Sequence, residues 1–140
     1  MSKLRARLRD ASRSGVYRVQ RTEAIDDAVR GTRLNVGRVD LAGADTKGPM
    51  LERIAKALAF PDWFGGNWDA LEDCLIDLSW CEAEGHVLLF RGFRPSDDLG
   101  VLIDVLASSA EFWAARRRPF FAVFVDPQRA LGLAELHREP

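Results

Sequence analysis

Apolar and polar positions change period several times along this chain. Gly15–Val19 alternates in steps of two, as a half-covered strand does. From Thr22 the period lengthens: Ala24, Ile25, Ala28 and Val29 predict a short helix that Thr22 caps and Gly31 stops. Leu34–Leu41 reads as a strand again, with Leu34, Val36, Val39 and Leu41 apolar and polar residues and Gly37 between them. Asp45 or Thr46 then caps a helix with Leu51, Ile54, Ala55 and Leu58 on its buried stripe, Pro49 in its first turn and Pro61 as its stop. After Asn67, the i, i+3, i+4, i+7 spacing of Leu71, Cys74, Leu75 and Leu78 predicts a further helix. His86–Phe90 and Phe120–Val125 are apolar without interruption, as strands covered on both faces are. Between them Ser96 caps a helix through Leu99, Leu102, Ile103 and Leu106. Ser108-Ser109 predicts a break there, with a second helix over Ala110–Arg118 ended by Pro119.

Two terminal stretches are less patterned. Met1–Ser14 is basic and reads as a frayed helix or a disordered arm, and Pro127–Pro140 as a short helix or a docked tail. Strands that alternate with helices need long crossovers, and such crossovers give parallel pairing. The predicted class is therefore α/β: a small three-stranded parallel sheet, from Leu34–Leu41, His86–Phe90 and Phe120–Val125, packed with helices. Residues 1–33 form an N-terminal β-α extension, residues 34–126 the main domain and residues 127–140 a C-terminal tail.

Composition narrows the possible chemistry. A chain of 140 residues is one domain with room for a real core. It contains no apolar run of about 18 residues and no apolar segment behind its basic start, so neither a membrane span nor a secretory signal is expected. Two cysteines, Cys74 and Cys81, make no disulfide framework, and reduced thiols without an export signal point to the cytoplasm. Cys74 falls on the apolar stripe and reads as a small buried hydrophobe. There is no GxSxG, HExxH or GxxxxGK[ST] pattern, and neither His86 nor His137 has a nucleophile beside it. No catalytic residue, cofactor or metal is expected. Asp69 and Asp73, one helical turn apart, are the only hint of a carboxylate metal site, and no second element supplies another pair.

Charge changes the picture more. Between Ala57 and Phe90 there is no Lys or Arg, while Asp62, Asp69, Glu72, Asp73, Asp77, Glu82 and Glu84 give −7; the whole chain is −1, so the rest carries +6. On the helix after Asn67, turning about 100° per residue gathers Asp69, Glu72, Asp73 and Asp77 opposite the apolar stripe, with Ile76 among them. Asp69 also suits the positive end of the helix dipole, whereas Asp73 in mid-helix has no such local reason. Phosphate contacts need cations, so nucleic-acid binding by this stretch is disfavoured, and no direct nucleic-acid partner is expected for the chain. Carboxylates beside aromatic rings resemble nucleic acid itself, a shape that fits a basic groove.

The residues Pro61-Asp62-Trp63-Phe64-Gly65-Gly66-Asn67-Trp68-Asp69-Ala70-Leu71-Glu72-Asp73-Cys74-Leu75 resemble the signature of the barstar family, small bacterial cytoplasmic inhibitors of ribonucleases. The strand and helix order from Leu34 to Val125 is similar to that family's as well. The resemblance implies a protein that is not an enzyme and plugs the active site of a basic ribonuclease or related nuclease toxin. It implies that Trp63 and Phe64 are its paired aromatics, that Asp69 and Asp73 are its binding aspartates, and that Gly65, Asn67 and Trp68 touch the partner. Glu72 and Ile76 lie on the same face and complete the expected partner-binding set. Glu72 stands where the family carries an aromatic, and the family's further acid on the next helix has only Ser108 or Glu111 near it. The free protein is expected to be a monomer, with immunity or antitoxin as its role. Two alternatives are a non-inhibitory interaction module on the same fold and, less favoured, a carboxylate metal enzyme.

Overall fold

The computed structural model describes residues 3–138; the first two residues of the basic N-terminal stretch and the last two of the tail lie outside them. Five strands, β1 (Gly15–Val19), β2 (Leu34–Asp40), β3 (Gly85–Arg91), β4 (Phe120–Val125) and β5 (Ala134–Glu135), form one sheet in the order β2-β3-β4-β1-β5. Every adjacent pair is parallel. Five helices accompany them: α1 (Lys3–Leu8), α2 (Glu23–Val29), α3 (Lys47–Ala57), α4 (Trp68–Leu75) and α5 (Asp97–Ala115).

The three-stranded sheet is thus corrected to five strands. β1 pairs with β4 over its whole length, from Gly15 beside Phe121 to Val19 beside Val125. β4 is therefore an inner strand, with β3 on one side and β1 on the other. β5 then pairs with β1 through Tyr17–Ala134 and Arg18–Glu135. Leu136, fully buried, holds that end of the tail down.

Alternation along β3 and β4 divides the core in two. Leu88, Phe90, Phe120, Ala122 and Phe124 meet α3, α4 and α5 on one face, where the rings of Phe90 and Phe124 stack at 4.8 Å. Val87, Leu89, Phe121 and Val123 face the other way, onto Leu4 and Leu8 of α1 and Ile25 and Ala28 of α2. The basic N-terminal stretch therefore contains a helix with a buried side. Its Arg5 donates to the carbonyls of Ala28 and Arg30, and its Arg7 to that of Leu136, which fastens the helix to the end of α2 and to the tail just after β5.

Local signals were mostly kept. Thr46, not Asp45, stands at the N-cap of α3, and Ser96 caps α5 by accepting from Leu99 N–H at 3.1 Å. The predicted break at Ser108-Ser109 is absent: α5 runs unbroken for 19 residues. Ser109 is buried in it and donates its hydroxyl to the Val105 carbonyl at 2.9 Å, which satisfies the polar group inside the helix. α4 stops at Leu75, earlier than the stripe through Leu78 suggested, because the chain turns at Leu78 with φ 49°.

Candidate protein-interaction site

The loop before α4 is shaped by a few local contacts. Phe64 N–H donates to Pro61 O, closing a turn. Gly66 adopts φ 72°, a left-handed conformation that L side chains resist. Asn67 then caps α4, its side-chain oxygen accepting from Ala70 N–H at 2.7 Å.

Beneath the loop lies an aromatic platform. Phe60 meets Phe64 edge-on at 5.0 Å and Trp80 at 5.9 Å, and Trp63 meets Trp80 at 6.2 Å. Phe64 is half-buried against the core, whereas Trp63 leaves 58% of its surface exposed. A large aromatic in that state, on a rigid support, is the kind of anchor that dominates protein interfaces. Two indoles also fix helix ends. Trp80 donates to the Leu58 carbonyl at 3.1 Å after α3, and Trp113 donates to the Leu75 carbonyl at 2.8 Å at the end of α4. Sequence patterning did not single out Trp80, Trp113 or Phe60 as supports. For the two tryptophans the available signal was the indole N–H itself, which needs a partner when it is buried; Phe60 carries no such group.

α4 presents its carboxylates outward. Leu71, Cys74 and Leu75 are buried, while Asp69, Asp73 and Asp77 are exposed and Glu72, Trp68 and Ile76 are half-buried. Gly65 and Asn67 are exposed in the loop before it. Among the described residues no ion pair reaches Asp69, Glu72, Asp73 or Asp77. Glu84, at the far end of the acidic window, differs: it pairs with Arg9 of the segment after α1 at 3.2 Å. The unneutralised part of the window therefore centres on the ridge along α4, with Asp62 in the loop before it and Asp77 and Glu82 after it. Its field reaches inward. The buried Cys74 thiol is pushed up, first by burial and then by Asp77 and Asp73. It stays protonated and unreactive.

On α5, Ser108 and Glu111 are both exposed. Among the described residues, no group of three or more His, Cys, Asp or Glu side chains is placed to hold a metal ion, and no helix is long and apolar enough to cross a membrane.

A family model described as Barstar (barnase inhibitor) matches residues 34–125. That span opens on the first residue of β2 and closes on the last of β4, so it contains the loop and α4, and α1, β1, α2 and β5 lie outside it. Among curated proteins none matches the chain.

Proposed function

The chain belongs to the barstar family, and on that premise we propose that it is an inhibitor that covers the active site of a barnase-type ribonuclease or related basic nuclease with the loop and ridge of α4. One observation carries the reading: Asp69, Glu72 and Asp73 stand together on α4 with Asp77 in the turn just past its end, and no ion pair with a cation of their own chain reaches them among the described residues. Neighbouring like charges on a helix repel by roughly 0.2–0.5 kcal/mol per pair. A cationic cleft relieves that repulsion and gains charge-assisted hydrogen bonds.

Each residue has a proposed part. Trp63 is the exposed anchor, held by Trp80 and by the Phe64–Phe60 pair. Gly65 and Asn67 set the approach of the loop backbone. Trp68 and Ile76 border the charges and exclude water from them, as a hot-spot rim does. Asp73, at the centre of the ridge, enters the most positive part of the cleft, with Asp69 and Glu72 beside it. The charge also steers encounter with a basic enzyme, so association slows as salt is raised. Inhibition needs no chemistry from this chain and no cofactor or metal.

A titration of barnase-type ribonuclease activity tests this. Stoichiometric loss of activity with the wild-type chain, and none with Asp73→Lys at equal concentration, is the expected outcome. Equal inhibition by both proteins overturns the assignment of the ridge. Binding without loss of activity favours the non-inhibitory interaction module.

A further inference from the structure

Parallel strands begin at the same end of their sheet, and in this chain arginines stand just before three of the four long ones. Arg13 precedes β1, Arg33 precedes β2, and Arg116, Arg117 and Arg118 precede β4. β3 is instead preceded by Glu84, which Arg9 neutralises. Neighbouring strands lie about 4.8 Å apart, so with the order β2-β3-β4-β1 the row from Arg33 to Arg13 is about 14 Å long. These residues are far apart in sequence, and only the topology brings them together.

Part of this charge has no internal use. The side chains of Arg33 and Arg117 are exposed and enter no hydrogen bond or ion pair with a described residue; Arg13 is exposed too, and its charge acts on Asp10, whose carboxylate accepts from Ser12. Arg116 lies flat over the Phe112 ring at 3.5 Å, with one N–H on the Phe112 carbonyl. Arg118 donates to the Ala83 carbonyl. The backbone sets where Arg117 stands. Arg117 follows the cap of α5 with φ 60°, a position at which helices commonly place glycine. The left-handed turn, closed by Arg117 N–H on Ala114 O and Arg118 N–H on Trp113 O, leaves the Arg117 side chain in solvent.

We propose that this rim docks the sugar-phosphate backbone of a single-stranded nucleic acid. Guanidinium forks match phosphate oxygens two at a time. One row of charge, with no helix or ribbon projecting to enter a groove, suits a single strand rather than a duplex. The contacts are to phosphate, so RNA and DNA bind alike and sequence matters little. Asp77 and Glu82 face Arg118 across a cavity of about 290 Å³ and bound the rim on the side of α4. They keep the strand off the ridge. The surface is separate from the one assigned to the nuclease, and either assignment can fail alone.

Fluorescence anisotropy of labelled twelve-nucleotide single strands, RNA and DNA, titrated with the full chain tests the proposal. Both strands are expected to bind at low salt. With about three guanidiniums engaged, log K falls against log salt with a slope of about −2. Arg33→Glu with Arg117→Glu, both at exposed positions, lowers affinity at least about tenfold with an unchanged circular dichroism spectrum. Asp73→Lys does not weaken it. No binding at low salt overturns the proposal, as does binding that ignores the double substitution. Salt-sensitive self-association lost in the same variant also overturns it, because the rim then meets the acidic ridge of a second copy.

Discussion

The charges at the start of the tail and the charges on α4 are handled in opposite ways. Arg18, buried on β1, donates twice to the Asp126 carbonyl, at 2.7 and 3.2 Å, and meets Glu135 at 3.0 Å. The buried Asp126 carboxylate accepts N–H groups from Ala130 and Leu131, both at 2.8 Å. That cluster ties the β1, β4 and β5 ends together, with the polar atoms just named satisfied inside the chain. The α4 carboxylates have no such ties. A charge that serves the fold is locked to its own chain, because burial makes an unpaired one expensive. A charge left open on a rigid, well-capped helix is available to something else. The contrast separates stability from binding residue by residue.

The largest expected effect breaks the tail cluster. Arg18→Ala removes a buried guanidinium with its three hydrogen bonds, each worth roughly 1.5–3 kcal/mol for a charged donor, and leaves the Asp126 carbonyl without those donors, which destabilises the fold by about 3–5 kcal/mol. Urea denaturation reads the loss, and the affinity of the remaining folded protein for a nuclease stays as it was. Asp73→Lys is the mirror case. Removing one partner of a desolvated interfacial charge pair costs about 2–5 kcal/mol of binding, roughly thirtyfold or more in Kd. Its midpoint in urea does not fall, since reversal relieves repulsion along the ridge.

Acid probes the fold side next. His86 is buried between Trp113 and Phe120, with Nδ1 3.2 Å from the Asn35 amide. Burial, helped by Arg118, lowers its pKa from 6.5 to about 4. The unfolded chain takes up this proton first, so the stability His86 contributes is complete above pH 6.5 and is lost as the pH falls toward 4. Between pH 7 and 5 the loss is about 2 kcal/mol. His86→Gln flattens that slope in pH-dependent urea melts. The smallest effect lies where the two regions meet: Asn67→Ala removes the cap of α4 and lowers stability by about 1 kcal/mol. Because the same residue shapes the loop, it is expected to weaken nuclease binding too, measured by calorimetry.

Much of this was legible in the chain. Unbroken apolar runs at His86–Phe90 and Phe120–Val125 gave buried parallel strands, and Asn67 gave its cap. The acidic face of α4 followed from a rotation of 100° per residue. What stayed hidden was set by distant partners. Nothing local in Gly15–Val19 says that it pairs with β4, and so the five-stranded sheet was not visible. Ser109 reads as a breaker until the Val105 carbonyl is seen to take its hydroxyl. Glu84 looks as free as Asp73 until the fold brings Arg9 to it. The arginine rim was missed for the same reason, since its members come together only through strand order.

Amide hydrogen exchange on the chain, free and bound to a barnase-type ribonuclease, tests the central claim most directly. Protection gained on binding is predicted to centre on Trp63–Ile76, with the Arg18–Asp126 cluster and the arginine rim unchanged. A footprint on the tail or the rim, with α4 exchanging as in the free protein, contradicts the account.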